Sequence, residues 1–399
     1  MPFIGNRNAN SCARLEGTAA CSSDAAQMRP LMLTRKFAAL LALLFAAACS
    51  GQSGTSASQA PQLGGPSTKQ TGSLKFTVYT AGQTPGFLAG AAAVDIAVGP
   101  AGDMWFTDFE TPAIGRIATN GTITEFTSGL IAGAKPYSIV AGPDGNMWFS
   151  DNSGVALGKI TPDGTITEYS APQYTNSKSM GIAFGPSGEP WVVGFGSQPL
   201  LAHLKQGTIE AQLLPVTMTP FGALTADAQG NLFFVVQNGH RRAELIERRA
   251  AGGGLHRTAI NMHAIFEPCC PNVAAKSIVM GPDGDPWFTT LDFGRHISAA
   301  NFLGTLRGKV HLIRISHKGL SAPTYPSGLA AAADGLWMTG GDPLEVYGGL
   351  WHVDTHGKQT VYQLPYDPDS LALDAAGNQW FTTHFSQTAS SIVEVTGAR

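Results

Sequence analysis

The sequence has few charged side chains and no strongly basic region. Charged residues make up 13% of the 399 residues, about half of the share found in typical soluble domains. The formal net charge is only −3. The arginines at 241–257 are interrupted by Glu244 and Glu247, so the basic stripe that a nucleic-acid-binding protein presents is missing. We therefore expect no nucleic-acid partner.

The sequence also has no long apolar run, and the apolar segment near the N-terminus is short. Residues 37–48 are uncharged and apolar, but a membrane-spanning helix needs about 20 such residues. They follow Arg35 and Lys36 and end in small residues before Cys49, which is the order of a secretory signal. The segment resembles a bacterial lipoprotein signal, in which the cysteine becomes the lipidated first residue. An ordinary cleaved signal with an unrelated cysteine is the alternative.

This interpretation divides the N-terminal region into three segments. Residues 1–27 do not fit the head of a signal, and we expect a mis-assigned start there. Residues 28–49 form the predicted signal peptide. Residues 50–72 are rich in Gly, Ser, Gln and Thr, which is typical of a flexible linker. We expect a lipoprotein of the bacterial cell envelope, anchored to a membrane by lipid and facing the periplasm or the outside.

A short phrase recurs seven times and indicates an all-β fold. In the copy GPDGNMWFSD at 142–151, a Gly- and Asp-containing turn precedes an aromatic strand, as in a tight hairpin. The copies recur at intervals of 42 to 54 residues, the period of four-stranded propeller blades. We predict a seven-bladed β-propeller over residues 73–399. The aromatic residues of the seven copies are Trp105, Trp148, Trp191, Phe233, Trp287, Trp337 and Trp380.

The last repeat lacks an outer strand. Residues 391–396 read as its third strand, and the chain ends at Arg399. Residues 72–79 read like the outer strands GTITEFT at 121–127 and GTITEYS at 164–170. An open edge would invite aggregation. We therefore predict that the N-terminal strand pairs with residues 391–396 and closes the ring.

The phrases GPDGNMWFSD, AIGRIATNGTITEF and LGKITPDGTITEY resemble the repeats of the streptogramin lyases, the virginiamycin B lyase family. The resemblance covers about residues 73–399 and implies a seven-bladed propeller. The family's founding activity is the opening of the ester ring of streptogramin B antibiotics by elimination, with Mg²⁺. Because the same scaffold serves other functions, the resemblance specifies the fold better than the chemistry.

This chain departs from the family pattern at the family's catalytic positions. The family carries His in a Pro-His-Gly-Ile pattern and Glu after Trp-Phe-Thr. The positions that match the His hold Val94, Tyr137, Met180, Phe221, Lys276, Ser327 and Asp369. The positions that match the Glu hold Asp108, Asp151, Gly194, Val236, Thr290, Gly340 and Thr383. A general base for elimination and most oxygen ligands for Mg²⁺ are thus missing from their places.

The repeat geometry groups five polar side chains near one mouth of the channel: Asp108, Asp151, Tyr137, Lys276 and Asp369. Asp108 and Asp151 are candidate ligands of Mg²⁺ or another divalent cation. Tyr137, Lys276 and Asp369 are candidate ligand-binding residues, and Lys276 could instead pair with a carboxylate. The alternative is that all five are solvated mouth residues and ion pairs.

Three further residues are candidates. His384 follows Trp-Phe-Thr-Thr and, with Asp108, Asp151 and Lys276, is a candidate for catalysis. Asp292 and His296 lie in an insertion of blade five and could bind a ligand or serve acid–base chemistry. Ordinary loop residues are the alternative for this pair.

Cys269 and Cys270 are adjacent and flanked by prolines. In an oxidising compartment they could form a vicinal disulfide. A metal site with His263 and Glu267 is the alternative.

Three functions remain open at this point. The first is an envelope module that binds a small molecule or an envelope protein, since the scaffold is intact but the catalytic positions are replaced. The second is a metal-dependent lyase or a lactone-opening hydrolase. The third is a purely structural scaffold. For each of them we expect a monomer.

Overall fold

The computed structural model describes residues 67–71, 73–174, 176–185, 187–238, 243–248, 252–260, 273–274, 276–292, 302–320, 325–341, 347–383 and 389–398. Within these ranges all regular secondary structure is β-strand. Correspondingly, no helix there is long and apolar enough to span a membrane. The strands form seven antiparallel sheets, which are the blades of a β-propeller. The predicted all-β, seven-bladed fold is confirmed.

Two strands precede the first blade, and three four-stranded blades follow them. The N-terminal strands are β1 (Ser67–Thr71) and β2 (Leu74–Thr80). Blade one has β3 (Ala93–Val98), β4 (Met104–Asp108), β5 (Ala113–Ile117) and β6 (Ile123–Phe126). Blade two has β7 (Pro136–Ala141), β8 (Met147–Asp151), β9 (Ala156–Ile160) and β10 (Ile166–Ser170). Blade three has β11 (Ser177–Phe184), β12 (Pro190–Gly196), β13 (Leu200–Lys205) and β14 (Thr208–Leu213).

The remaining blades follow the same order from the inner to the outer strand. Blade four has β15 (Thr219–Ala226), β16 (Leu232–Gln237), β17 (Ala243–Arg248) and β18 (Leu255–Ala259). Blade five has a divided inner strand, β19 (Val273–Ala274) and β20 (Ile278–Met280), then β21 (Pro286–Asp292), β22 (Phe302–Arg307) and β23 (Lys309–Arg314). Blade six has β24 (Tyr325–Ala332), β25 (Gly335–Gly341), β26 (Gly348–Asp354) and β27 (Gln359–Leu364). Blade seven has β28 (Pro368–Leu373), β29 (Gln379–Thr383) and β30 (Ser391–Thr396).

The ring closes as the sequence predicts. Strand β2 pairs antiparallel with β30, from Lys75 opposite Thr396 to Thr80 opposite Ser391. Phe76 is fully buried in the resulting core. Strand β1 then pairs with the outer side of β2, so among the described residues pairing begins at Ser67, within the segment that the sequence analysis assigned to a linker.

The aromatic residue of each repeat packs between blades. Trp105 of blade one contacts a core of blade-two side chains that includes Ile139, Met147 and Phe149. Trp148 of blade two packs in the same way against side chains of blade three. One blade cannot bury so large a ring by itself, which is why the repeat is stable only as part of an array.

Six of the seven inner strands begin with a bulge at one end of the ring, and the inner strand of blade five is divided there instead. In β7 the register shifts between Pro136 and Ile139, and a shift at the corresponding place occurs in β3, β11, β15, β24 and β28. A bulge leaves a residue outside the ladder and re-aims its side chain. We call this end of the channel, where the inner strands begin, the entry end.

Candidate functional site

The channel at the centre of the propeller forms a cavity. It has a volume of 240 Å³ and is lined by the inner strands of all seven blades. Apolar residues such as Val94, Val140 and Val279 line its wall, and its polar residues lie at or near the starts of the inner strands. Bulged strand starts therefore bring Asp95, Tyr137 and Asp369 to the entry end, and the break in the inner strand of blade five brings Lys276 there.

Lys276, Asp369 and Tyr137 meet there. The ammonium group of Lys276, from blade five, binds Oδ1 of Asp369, from blade seven, and so crosses blade six. Burial, followed by the negative charges of Asp369 and Asp95, raises the pKa of the Tyr137 phenol. Tyr137 is therefore a neutral hydrogen-bonding group beside a charged pair. The structure brings together these three of the five predicted mouth residues.

Asp95 is the polar centre of the entry end, and the sequence analysis missed it. Its Oδ1 accepts hydrogen bonds from the Ile96 N–H (3.0 Å) and the Ser370 hydroxyl. Its Oδ2 accepts bonds from the Ser138 hydroxyl (2.8 Å) and the Ile139 N–H (2.9 Å). Burial raises the pKa of this carboxyl in spite of these donors. The signal in the sequence is an Asp in AVDIAV where the other inner strands carry Ser or Gly.

A layer of hydroxyl groups stands behind these residues and joins neighbouring blades. Thr107 donates to the carbonyl of Tyr137 (2.8 Å), Ser150 to that of Met180, and Thr382 to that of Val94 (3.2 Å). The same hydroxyls accept the N–H of the bulged residue of their own blade, as Ser150 does from Ser138 (3.1 Å). These hydroxyl groups thus hold the backbone of the entry end in place, and they do so on the side that faces away from the channel.

Asp108 and Asp151 do not line the channel. Both are fully buried at the ends of the second strands. Oδ1 of Asp108 accepts the N–H groups of Ala92 (2.7 Å) and Thr111 (3.2 Å). Oδ1 of Asp151 accepts those of Lys135 (2.8 Å) and Ser153 (2.7 Å). The structure therefore separates these two residues from Tyr137, Lys276 and Asp369, with which the sequence analysis grouped them.

The described residues do not fit the Mg²⁺ that the family resemblance implies. No group of three or more His, Cys, Asp or Glu side chains comes together within the described part of the chain. Magnesium requires about six oxygen ligands in octahedral geometry. Asp95 directs all its oxygen lone pairs to hydrogen-bond donors, and Asp369 binds an ammonium group. We derive no chemical step through a metal ion.

Several predicted residues lie outside the part of the chain that the structure describes. These are Cys49, His263, Glu267, Cys269, Cys270, His296 and His384. Asp292 ends strand β21, but its side chain is also outside the described set.

The sequence model of the virginiamycin B lyase family matches residues 75–263, which hold the closing strand and the first four blades. A solved streptogramin B lyase superposes with a TM-score of 0.62 at 20% identity, over 80% of this chain and 98% of that one. A virginiamycin B lyase from Staphylococcus aureus gives a TM-score of 0.62 at 20% identity, over 81% and 99%. A catalytically inactive virginiamycin B lyase from Staphylococcus aureus, with quinupristin, gives 0.61 at 20% identity, over 80% and 99%. No curated protein sequence matches. The repeats, the closed ring and these matches together make the chain a virginiamycin B lyase-like β-propeller.

Proposed function

We propose that this protein is an envelope module that binds a small polar ligand at the entry end of its channel. The observation that carries the proposal is the grouping of Lys276, Asp369 and Tyr137 at the start of the inner strands, around one cavity. An apolar wall with a few convergent polar groups is the usual build of a small-molecule site.

The site chemistry favours a ligand with carboxylate or hydroxyl oxygens. Lys276 supplies an ammonium donor, Tyr137 a neutral hydroxyl, and Asp369 an acceptor. The side chain of Lys276 is 45% exposed, so its ammonium can leave Asp369 for an anionic ligand at little cost. The cavity of 240 Å³ is below the roughly 300–1,000 Å³ of drug-sized sites. A ligand inside the channel must therefore be small, and a larger one would lie across the entry end.

Ring-opening elimination is the second candidate, and the match to the lyase family favours it. The replaced His and Glu positions and the poor fit to Mg²⁺ weigh against it. If elimination occurs, the proton must be taken by a group at the entry end other than the family's histidine.

One experiment separates the two candidates. The chain from residue 50 onward is mixed with quinupristin or with a panel of small lactones and hydroxy acids, with Mg²⁺ or with a chelator. Products are analysed by mass spectrometry and binding by calorimetry. Elimination leaves the mass unchanged, whereas hydrolysis adds one water. The matched variants are Lys276→Met and Asp369→Asn, and the control is Lys309→Met on the exposed outer strand of blade five.

The binding proposal predicts heat of binding without new products, lost in Lys276→Met and kept in Lys309→Met. Turnover that both Lys276→Met and Asp369→Asn abolish would establish an enzyme at the same site. If no compound of the panel binds, or if Lys276→Met binds as well as the wild type, the proposed site is wrong.

The location in the envelope has its own test. We propose that lipid on Cys49 anchors the protein, because small residues and a short apolar run precede this cysteine. Cys49→Ala should move the protein from the membrane fraction to the soluble fraction of cells. A variant that stays with the membrane would contradict the anchor.

A further inference from the structure

Two loops that lead into the channel have the same construction. Residues 81–92 connect β2 to β3, and residues 127–135 connect β6 to β7. Gly86 and Gly129 occupy matching positions with φ of 84° and 100°. A Cβ at Gly86 would stand 2.1 Å from the carbonyl oxygen of Ile123, and one at Gly129 would stand 2.8 Å from that of Ile166. Each loop therefore packs closely on the outer strand of the blade that it enters.

The first loop is held by two carboxylates of blade one. Asp108 accepts the N–H of Ala92 (2.7 Å), and Glu125 accepts the N–H of Leu88 through Oε2 (2.7 Å). Asp108 lies opposite Ala113, and Glu125 lies opposite Gly115. Since alternate residues of a strand share a face, the two acids lie on one face, across Ala113 and Gly115, and the ring of Phe106 packs over Gly115.

The second loop repeats this arrangement in blade two. Asp151 accepts the N–H of Lys135 (2.8 Å), and Glu168 accepts the N–H of Ile131 through Oε2 (2.5 Å). The two acids lie on one face across Ala156 and Gly158, and the ring of Phe149 packs over Gly158. The corresponding positions of blade three hold Gly194 and Ala211, so the acid pair is absent there.

The other oxygen of each acid is buried without a hydrogen-bond donor. Asp108 Oδ2, Glu125 Oε1, Asp151 Oδ2 and Glu168 Oε1 all lack a partner among the described residues. A buried carboxylate oxygen with no donor is costly, and two like charges together are costlier still. One proton shared by each pair would satisfy one oxygen of each acid and remove the repulsion.

Other charged groups near the pairs are already engaged. The first loop contains no charged residue. The ammonium of Lys135, in the second loop, binds the Phe109 carbonyl (2.9 Å) and Glu110. Arg116 and Lys159, on the third strands, lie over Trp105 and Trp148. That places both cations on the face opposite to the acids.

We propose that Asp108 shares one proton with Glu125, and that Asp151 shares one with Glu168. In each pair this proton maintains the hydrogen bonds that hold the loop against its blade. On loss of the proton to solvent both carboxylates are charged and repel one another, and the N–H bonds to Leu88 and Ile131 weaken. The second loop continues directly into Pro136 and Tyr137, so its release loosens the entry end. The proposal does not depend on the proposed ligand.

The pH range follows from the direction of the shifts. Burial first, and then the charge of Asp108, raises the pKa of Glu125 to about 7. Burial and the charge of Asp151 do the same for Glu168, to about 7. A folded-state pKa above the ordinary value means that the stabilisation is complete at acid pH and is lost as the pH rises through about 7.

The test compares thermal unfolding from pH 5 to pH 9 in the full chain and in the double variant Glu125→Gln/Glu168→Gln. A glutamine keeps the carbonyl that accepts the loop N–H and offers its NH₂ to the aspartate. The wild-type melting temperature should fall by several degrees between pH 5 and 8, and the double variant should lose most of that fall. Asp163→Asn is the control, because this exposed carboxyl has a lowered pKa and stays charged throughout.

A direct measurement accompanies it, because variants can fold poorly. Carboxyl carbon NMR of the wild type should show two Glu signals titrating near pH 7, both absent from the double variant. Equal pH dependence in wild type and double variant, or no Glu signal titrating above pH 6, would overturn the proposal. So would a melting temperature that Ca²⁺ raises in the wild type but not in the double variant, since a cation and not a proton would then occupy the pairs.

Discussion

Blade two and blade three stand side by side on the same strand plan, but they are filled differently. In blade two the buried ring of Phe149 covers Gly158, and Ser150 and Asp151 end the second strand. The matching positions of blade three hold Val192, Ala202, Val193 and Gly194. Both blades keep the Trp of the repeat and the turn before it.

The residue differences between blades two and three occur in groups whose effects on packing and charge compensate one another. A large ring over a glycine becomes a smaller side chain over an alanine, so the volume between the second and third strands is kept. Both members of the acid pair are missing together in blade three, which leaves no single buried carboxylate. The recurring aromatic residue, the turn and the strand order define a blade. The polar residues of blades one and two are additions that hold the loops and the channel entry in place.

The largest effect should come from removing the ring that blade three lacks. Phe149 is fully buried, and Phe149→Ala should lower the free energy of unfolding by about 3–5 kcal/mol. Val192→Ala is the matched change in blade three and should cost less, because it removes fewer buried carbons. Urea unfolding followed by tryptophan fluorescence measures both. Equal losses would show that the two blades do not differ in the way the packing indicates.

The next effect tests whether ring and glycine belong together. A Cβ on Gly158 would stand 1.9 Å from Cζ of Phe149, so Gly158→Ala should cost about 3 kcal/mol through overpacking. Adding Phe149→Val converts this part of blade two to the blade-three pattern and should recover part of the loss. The double-mutant cycle should give a coupling energy of about 1–2 kcal/mol. Additive losses in the cycle would mean that the two positions do not compensate each other.

The fold was predictable from the sequence because each of its determinants is local and recurs. The seven recurring aromatic residues give the blade count, and the resemblance of residues 72–79 to outer strands gives the ring closure. Strand β1 was not predicted, since Ser67–Thr71 has polar side chains and no periodic pattern. Its pairing follows only from its position beside β2.

The site was predictable only in part, because aligning the repeats gives the position of a residue along its strand but not the direction in which its side chain points. It placed Tyr137, Lys276 and Asp369 correctly at the channel. Asp108 and Asp151 lie near the same end of their blades, but their side chains point into the blade, towards the loop N–H groups. Asp95 was missed because a bulge turns it into the channel, and bulges leave no pattern in a single strand.

The smallest of these effects concerns the hydroxyl that blade two has and blade three lacks. Ser150 accepts the N–H of Ser138 and donates to the carbonyl of Met180 in blade three. Ser150→Val copies Val193 of blade three and removes both bonds. A buried N–H group without a partner costs about 1–3 kcal/mol, and the added apolar burial offsets part of that, so we expect a net loss of about 1 kcal/mol. Ser150→Thr, which copies Thr107 of blade one, keeps the hydroxyl and should unfold like the wild type. If Ser150→Val is as stable as Ser150→Thr, the hydroxyl layer does not join the blades energetically, and the entry end is fixed by strand packing alone.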